Sequence, residues 1–266
     1  MNTIARYLKI YTMVVSQYVK SRMQYRADFI VGMFGMLASN LANVVILWLV
    51  FANIPSIKGW NYNELLFFYG FFILALTPQQ LFFDMFWDLG HLLQTGDFIR
   101  YYFRPINMMF YFISWRLDIK GITQLLVGIA VTIYASIKIG IIWTLPMALL
   151  LFINWVSASL IMIALLVGGM SSAFWIINAN SLTGTITSIR DFGRYPLDIF
   201  NKTFRIIFTF VAPIGFLAYY PTQIALRPAS EIPAAAWFSP IIGFVMFFLA
   251  YQIWRKGINS YSGTGS

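Results

Sequence analysis

The 266-residue chain is 60% hydrophobic and 10% charged, against roughly a quarter charged in a soluble domain, so it lacks the polar surface of a water-soluble globule. Its net charge of +9 would suit nucleic acid, but the basic residues stand between long apolar runs. They read as topology signals and contacts to membrane lipids, and nucleic acid is not expected as a partner.

A helix needs about 20 apolar residues to cross roughly 30 Å of hydrocarbon. Residues 1–26 fall outside that class. There Ile4, Leu8, Tyr11, Val15 and Tyr18 form one helical stripe with Arg6, Lys9 and Lys20 largely off it, which predicts an amphipathic helix lying in the interface. The alternative is a plain extension of the first span. No small-residue cleavage site follows a short apolar core, so this segment does not read as a cleavable signal.

Six spans are predicted, at about 29–51, 65–83, 121–139, 145–170, 206–220 and 238–254, within one transmembrane domain covering 1–266. Asn63-Glu64 is expected to cap the second. Alternate connections carry 15 of the 18 Lys and Arg: five before the first span, then Arg100, Arg104, Arg116 and Lys120, then Arg190, Arg194, Lys202 and Arg205, and finally Arg255 and Lys256. Lys58, Lys138 and Arg227 account for the rest. This split places both termini in the cytoplasm. The fold class expected is therefore an all-α polytopic membrane protein. On the fourth span Ala164, Gly168 and Ser172 recur every four residues, a small-residue ridge for close helix packing within the subunit or between subunits.

Absences narrow function further. With no Cys and one His, no thiolate or Cys/His zinc site is expected, and no G-x-x-x-x-G-K-[ST] phosphate cradle occurs. No metal and no catalytic residue is assigned. All nine acidic residues fall outside or near the ends of the predicted spans, which leaves the midplane without the carboxylate that ion-coupled transporters usually keep there. Asp84, Asp88 and His91 at i, i+4, i+7 would share one face of a continuous helix. They could serve a membrane-embedded lipid enzyme, though a polar helix end explains them as well.

After the second span, Thr95-Gly96-Asp97 reads as a turn and Pro105 as a stop. Between them Phe98, Ile99, Arg100, Tyr101, Tyr102, Phe103 and Arg104 form a short aromatic-basic helix, pinned at both ends. Such a helix suits a lever pressed into a partner's groove, or an interfacial loop with snorkelling side chains.

Three passages together resemble the permease subunits of type-2 ABC exporters, in the branch of small bacterial permeases. They are Gly96-Asp97-Phe98-Ile99-Arg100 with Arg104-Pro105-Ile106-Asn107, then Phe192 to Phe200 including Arg194-Tyr195-Pro196, then Pro213-Ile214-Gly215-Phe216 with Tyr219-Tyr220-Pro221. The C-terminal Tyr261-Ser262-Gly263 fits more weakly.

The resemblance implies a type-2 ABC exporter transmembrane domain in the bacterial cytoplasmic membrane. It implies pairing with a second permease, a paralogue or a copy of itself, and two ATPase subunits that hold ATP and Mg, none of it bound by this chain. It makes Gly96, Asp97, Phe98, Arg100, Tyr101, Phe103, Arg104 and Pro105 the ATPase-coupling segment, with the three phenyl and phenol rings filling the ATPase groove. Arg194, Tyr195 and Pro196 become a second cytoplasmic contact. Segments between the fifth and sixth spans would dip back into the membrane. A lipid-like, drug-like or peptide cargo is expected.

Overall fold

The computed structural model describes residues 3–24 and 26–263; the side chains of residues 3, 4, 22, 23, 26 and 29 lie outside that description, and with them Ile4 of the N-terminal stripe and two arginines of the basic tally. Secondary structure is helical throughout: α1 (Thr3–Gln24), α2 (Arg26–Asn53), α3 (Tyr62–Phe82), α4 (Leu89–Gln94), α5 (Ile99–Tyr102), α6 (Met108–Ser114), α7 (Lys120–Ile139), α8 (Leu145–Ser171), α9 (Ala179–Asp191), α10 (Lys202–Ile206), α11 (Tyr219–Leu226) and α12 (Ser239–Ser260). Among the described residues five helical stretches are long and apolar enough to cross a membrane: Ile30–Asn53, Tyr62–Phe82, Lys120–Ile139, Leu145–Phe174 and Ala234–Ser260.

Three residues of the predicted stripe, Tyr11, Val15 and Tyr18, are half-buried on α1. Its half-buried residues Tyr7, Ile10, Tyr11, Val14, Val15 and Tyr18 share one face, and Tyr7 packs edge-on against Phe110 of α6 with ring centroids 4.8 Å apart. The Tyr7 hydroxyl accepts from the Asn107 backbone N–H at 3.1 Å. Leu8, a stripe residue, is instead 60% exposed. α1 therefore packs against α6 rather than simply extending α2.

α3 is the central helix. Its cap is Asn61 rather than Asn63: the Asn61 side chain accepts from Glu64 N–H, and Glu64 accepts from Asn61 N–H, both at 2.9 Å. This reciprocal pair satisfies two otherwise orphaned donors. α8 joins α3 through Trp155 Nε1, which donates to the Leu74 carbonyl at 2.9 Å. α12 runs alongside α8, in the same direction, from Ser157 to Phe174.

The fifth crossing differs from expectation. Gln94 Nε2 donates to the Ile177 carbonyl, so α9 starts beside the basic end of the bundle. Farther along, Arg190 donates to Gln79, Arg194 stands 5.8 Å from the Phe72 ring, and Asp198 accepts from Trp60 Nε1 at 3.1 Å. Residues 179–200 thus run the whole length of α3 in the opposite direction. They are the fifth pass, made of α9 and two short 3-10 turns.

Residues 206–220, predicted as that span, instead form a hairpin. α10 continues into a π-helix over Ile207–Val211, where Phe208 stacks on Phe192. The chain breaks at Pro213, which has no N–H to continue a helix. Ile214 and Leu217 lie against Gly193, and α11 climbs back until Arg227 pairs with Glu64 at 2.8 Å. With the five long apolar helices, residues 179–200 make a sixth stretch along the bundle, and both ends of the described chain lie at the basic end.

Two expectations change with this. Arg190, Arg194, Lys202 and Arg205 leave the cytoplasmic tally, so eleven of the fifteen remain there. A carboxylate, Asp191, also lies beside α3, where its partner Arg190 reaches Gln79. A single cysteine at Lys202, which is exposed, should be labelled by an impermeant maleimide from the side opposite to a Thr95→Cys variant. Labelling of both from one side would restore the 206–220 span.

Candidate functional site

The coupling segment begins with a turn. Gly96 takes φ +77, the left-handed region open to glycine, and Asp97 pairs with Arg100 at 2.9 Å. α5 then has two unlike sides. Phe98 is fully buried and Tyr101 is 6% exposed. Phe98 meets Phe112, Phe174, Trp254 and Tyr261, each with its ring edge-on, at 5.1 to 6.1 Å between centroids. Tyr101 meets Phe112 and Trp115, and burial pushes its phenol pKa above the ordinary value.

The other side faces outward. Phe103 is 75% exposed, Ile99 40% and Tyr102 36%, with Arg100, Arg104 and Pro105 also exposed. The Arg104 guanidinium rests 5.7 Å from the Tyr111 ring.

This corrects part of the sequence reading. Phe98 and Tyr101 are spent inside the subunit and cannot enter a partner's groove. Ile99 and Tyr102 are exposed instead, beside Phe103. The spacing pairs Phe98 with Tyr101 and Ile99 with Tyr102 at i, i+3 on adjacent faces, but it does not say which face turns inward.

Arg194, Tyr195 and Pro196 are corrected as well. They lie on the half of the fifth pass nearer the far end, abreast of Phe72 and beyond, not at the basic end. Ala164 and Gly168 pack within the subunit: Ala164 is buried in one cluster with Ala250 and Trp254, and Gly168 faces Ala250 and Ile253 of α12. Ser172 turns inward on its own chain, donating to the Gly169 carbonyl at 2.6 Å.

Asp84, Asp88 and His91 do not share a continuous helix. α3 ends at Phe82, a 3-10 turn follows over Asp84–Asp88, and His91 sits exposed on α4. Arg116 bridges the two carboxylates, at 3.2 Å to Asp84 and 2.5 Å to Asp88. Among the described residues no group of His, Asp and Glu could hold a metal. Burial raises the Asp84 pKa above the ordinary carboxylate value, with the nearby Asp118 adding to the rise.

A folded-state pKa above the unfolded one means that protonation favours the native state. That gain is present below the unfolded value and is lost as pH rises through the folded one. Arg116 offsets the loss in the native protein. Arg116→Ala should therefore lower the melting temperature at pH 7, equivalent to about 1–3 kcal/mol, and the deficit should shrink at pH 4. An equal deficit at both pH values would rule out the charge account.

Residues 37–265 match the family described as ABC-2 family transporter protein. No curated protein matches.

Proposed function

The chain belongs to the ABC-2 family of transporter proteins, and from that premise we propose that this multi-pass membrane permease serves an exporter driven through the outward side of α5. Two separate ATPase subunits per complex would supply the energy and hold ATP and Mg. A second permease, a paralogue or another copy, would complete the pore. The membrane would be the bacterial cytoplasmic membrane, with the basic end inside, and the cargo lipid-like, drug-like or a hydrophobic peptide.

The observation that carries this reading is the two-sided build of residues 98–104. Phe98 and Tyr101 anchor one side in an aromatic cluster that includes Trp254 of α12 and Phe174 beyond α8. A push on Phe103, Ile99 or Tyr102 would therefore reach two spanning helices without first bending a loose loop. The free side combines apolar rings with Arg100 and Arg104, a mixture suited to a groove with acidic or carbonyl groups.

Closure of the ATPase pair on ATP would displace this rigid helix, and the bundle would respond by a two-state rearrangement. Phe103→Ala combined with Arg104→Ala should leave the melting temperature within about 0.5 kcal/mol of the parent, as for a surface change. It should also abolish co-purification with the ATPase. An intact complex from that variant would overturn the assignment.

A further inference from the structure

A charge imbalance lies in the fifth pass. Asp191 accepts from Arg190 Nη2 at 2.8 Å and from Arg194 Nη2 at 3.1 Å. Among the described residues these are the only salt bridges of either arginine, so two guanidiniums share one carboxylate. The next acid along, Asp198, is already engaged by Trp60, Tyr219 and Arg205. The cluster therefore carries one positive charge in excess, between the levels of Phe72 and Gln79 on α3. Uncompensated charge at that depth is costly.

Arg194 also lines a cavity of about 240 Å³ between α2, α3 and α7, many times the space that one ordered water needs. Asn40, Asn43, Gln80 and Gln124 bring four carboxamides to its wall, and Tyr69 a phenol. Asn40 Nδ2 and Gln124 Nε2 each donate to a helix carbonyl at 2.9 and 3.2 Å, and each amide keeps a second N–H. Among the described residues no acidic one lines the cavity. Its α2 wall belongs to the least enclosed of the five long apolar helices, so the cavity adjoins the bilayer side of the bundle.

We propose that this cavity receives the anionic group, phosphate or carboxylate, of an amphiphile that reaches it from the bilayer, with Arg194 as its counter-charge and the carboxamides as hydrogen-bond donors. A guanidinium with several free N–H groups suits such an oxyanion, and the site's own excess charge is what the anion would neutralise. The assignment rests on the permease reading for its purpose. Its test uses neither ATP nor an ATPase, so failed transport and failed binding are separate results.

The full-length chain, in zwitterionic nanodiscs, would be titrated with a fluorescent-tailed phosphatidylglycerol and with a phosphatidylcholine of identical chains. The native protein should prefer the anionic probe by about tenfold, and inorganic phosphate should not displace it. Arg194→Gln should reduce the preference to less than about twofold, and Arg194→Lys should retain part of it. Asn43→Asp, which adds a carboxylate to the wall, should also abolish the preference while raising the melting temperature. This second variant decides the matter if Arg194→Gln does not fold. An undiminished preference in the folded Arg194→Gln variant, or in Asn43→Asp, would overturn the site. Displacement by inorganic phosphate would overturn the amphiphile as its source.

Discussion

Phe98→Ala is expected to destabilise the subunit by about 3–5 kcal/mol, the usual cost of emptying a large aromatic site in a packed core. The ring is fully buried and touches four other rings, from α6, the end of α8, α12 and the C-terminal segment. Removing it opens a void where these elements meet, and edge-to-face aromatic pairs add to the loss beyond burial alone. Phe103→Ala removes a ring of the same size from the same short helix, yet Phe103 is 75% exposed, so its stability cost should be negligible. Thermal unfolding of the two purified variants checks the contrast. Similar losses from both would mean that α5 is not two-sided.

Gly243→Ala is the second large effect. α8 and α12 form the most closely joined helix pair, and their contact is backbone against backbone. A methyl group on Gly243 would point into the Ser157 carbonyl and hydroxyl. The same hydroxyl accepts from Gly243 N–H at 2.9 Å and donates to the Ser239 carbonyl at 2.5 Å. A clash with backbone has no rotamer that relieves it, so the helices must part and both bonds weaken. A loss of about 3 kcal/mol is expected, at the upper range for overpacking. Gly35→Ala on α2 is the control, because a methyl group there meets nothing within 4 Å; it should be neutral or raise stability slightly, as alanine favours helix. Equal melting temperatures for the two variants would contradict the packing account.

Much of the fold was legible because the bilayer imposes a simple length rule. α2, α3, α7, α8 and α12 coincide with predicted apolar runs to within a few residues at most ends. The fifth pass was hidden by its own side chains. Between Ala179 and Asp198 it carries Thr183, Thr185, Thr187, Ser188, Arg190, Asp191 and Arg194, which depress its hydropathy below that of 206–220.

Within the fold these groups are largely satisfied. Thr183, Thr185, Thr187 and Ser188 donate to carbonyls three or four residues back on α9, which lowers the cost of burying a hydroxyl. The charged groups pair with one another. Apolarity alone ranks a re-entrant hairpin above a polar span, and only the packing against α3 reverses the order.

At α5 the sequence marked the limits of the short helix but not its orientation. The turn at Gly96 and the stop at Pro105 are local features written in residue type. Which rings face inward depends on Trp254 and Tyr261, more than 150 residues away, and on Phe174 after α8. The same holds for Asp84 and Asp88, whose partner Arg116 lies across a connection of some thirty residues.

The central claim is that the free side of α5 meets the ATPase. The chain contains no cysteine, so a Phe103→Cys variant carries one reactive thiol. Cross-linking of that thiol in membranes that contain the ATPase is the most direct measurement. The account predicts a cross-link between permease and ATPase that changes in yield with nucleotide, and none from a Tyr195→Cys variant, whose site is also exposed in the subunit, at 51%, but lies on the far half of the fifth pass. Free labelling of the Phe103→Cys thiol in the intact complex, with no cross-link in any nucleotide state, would contradict it.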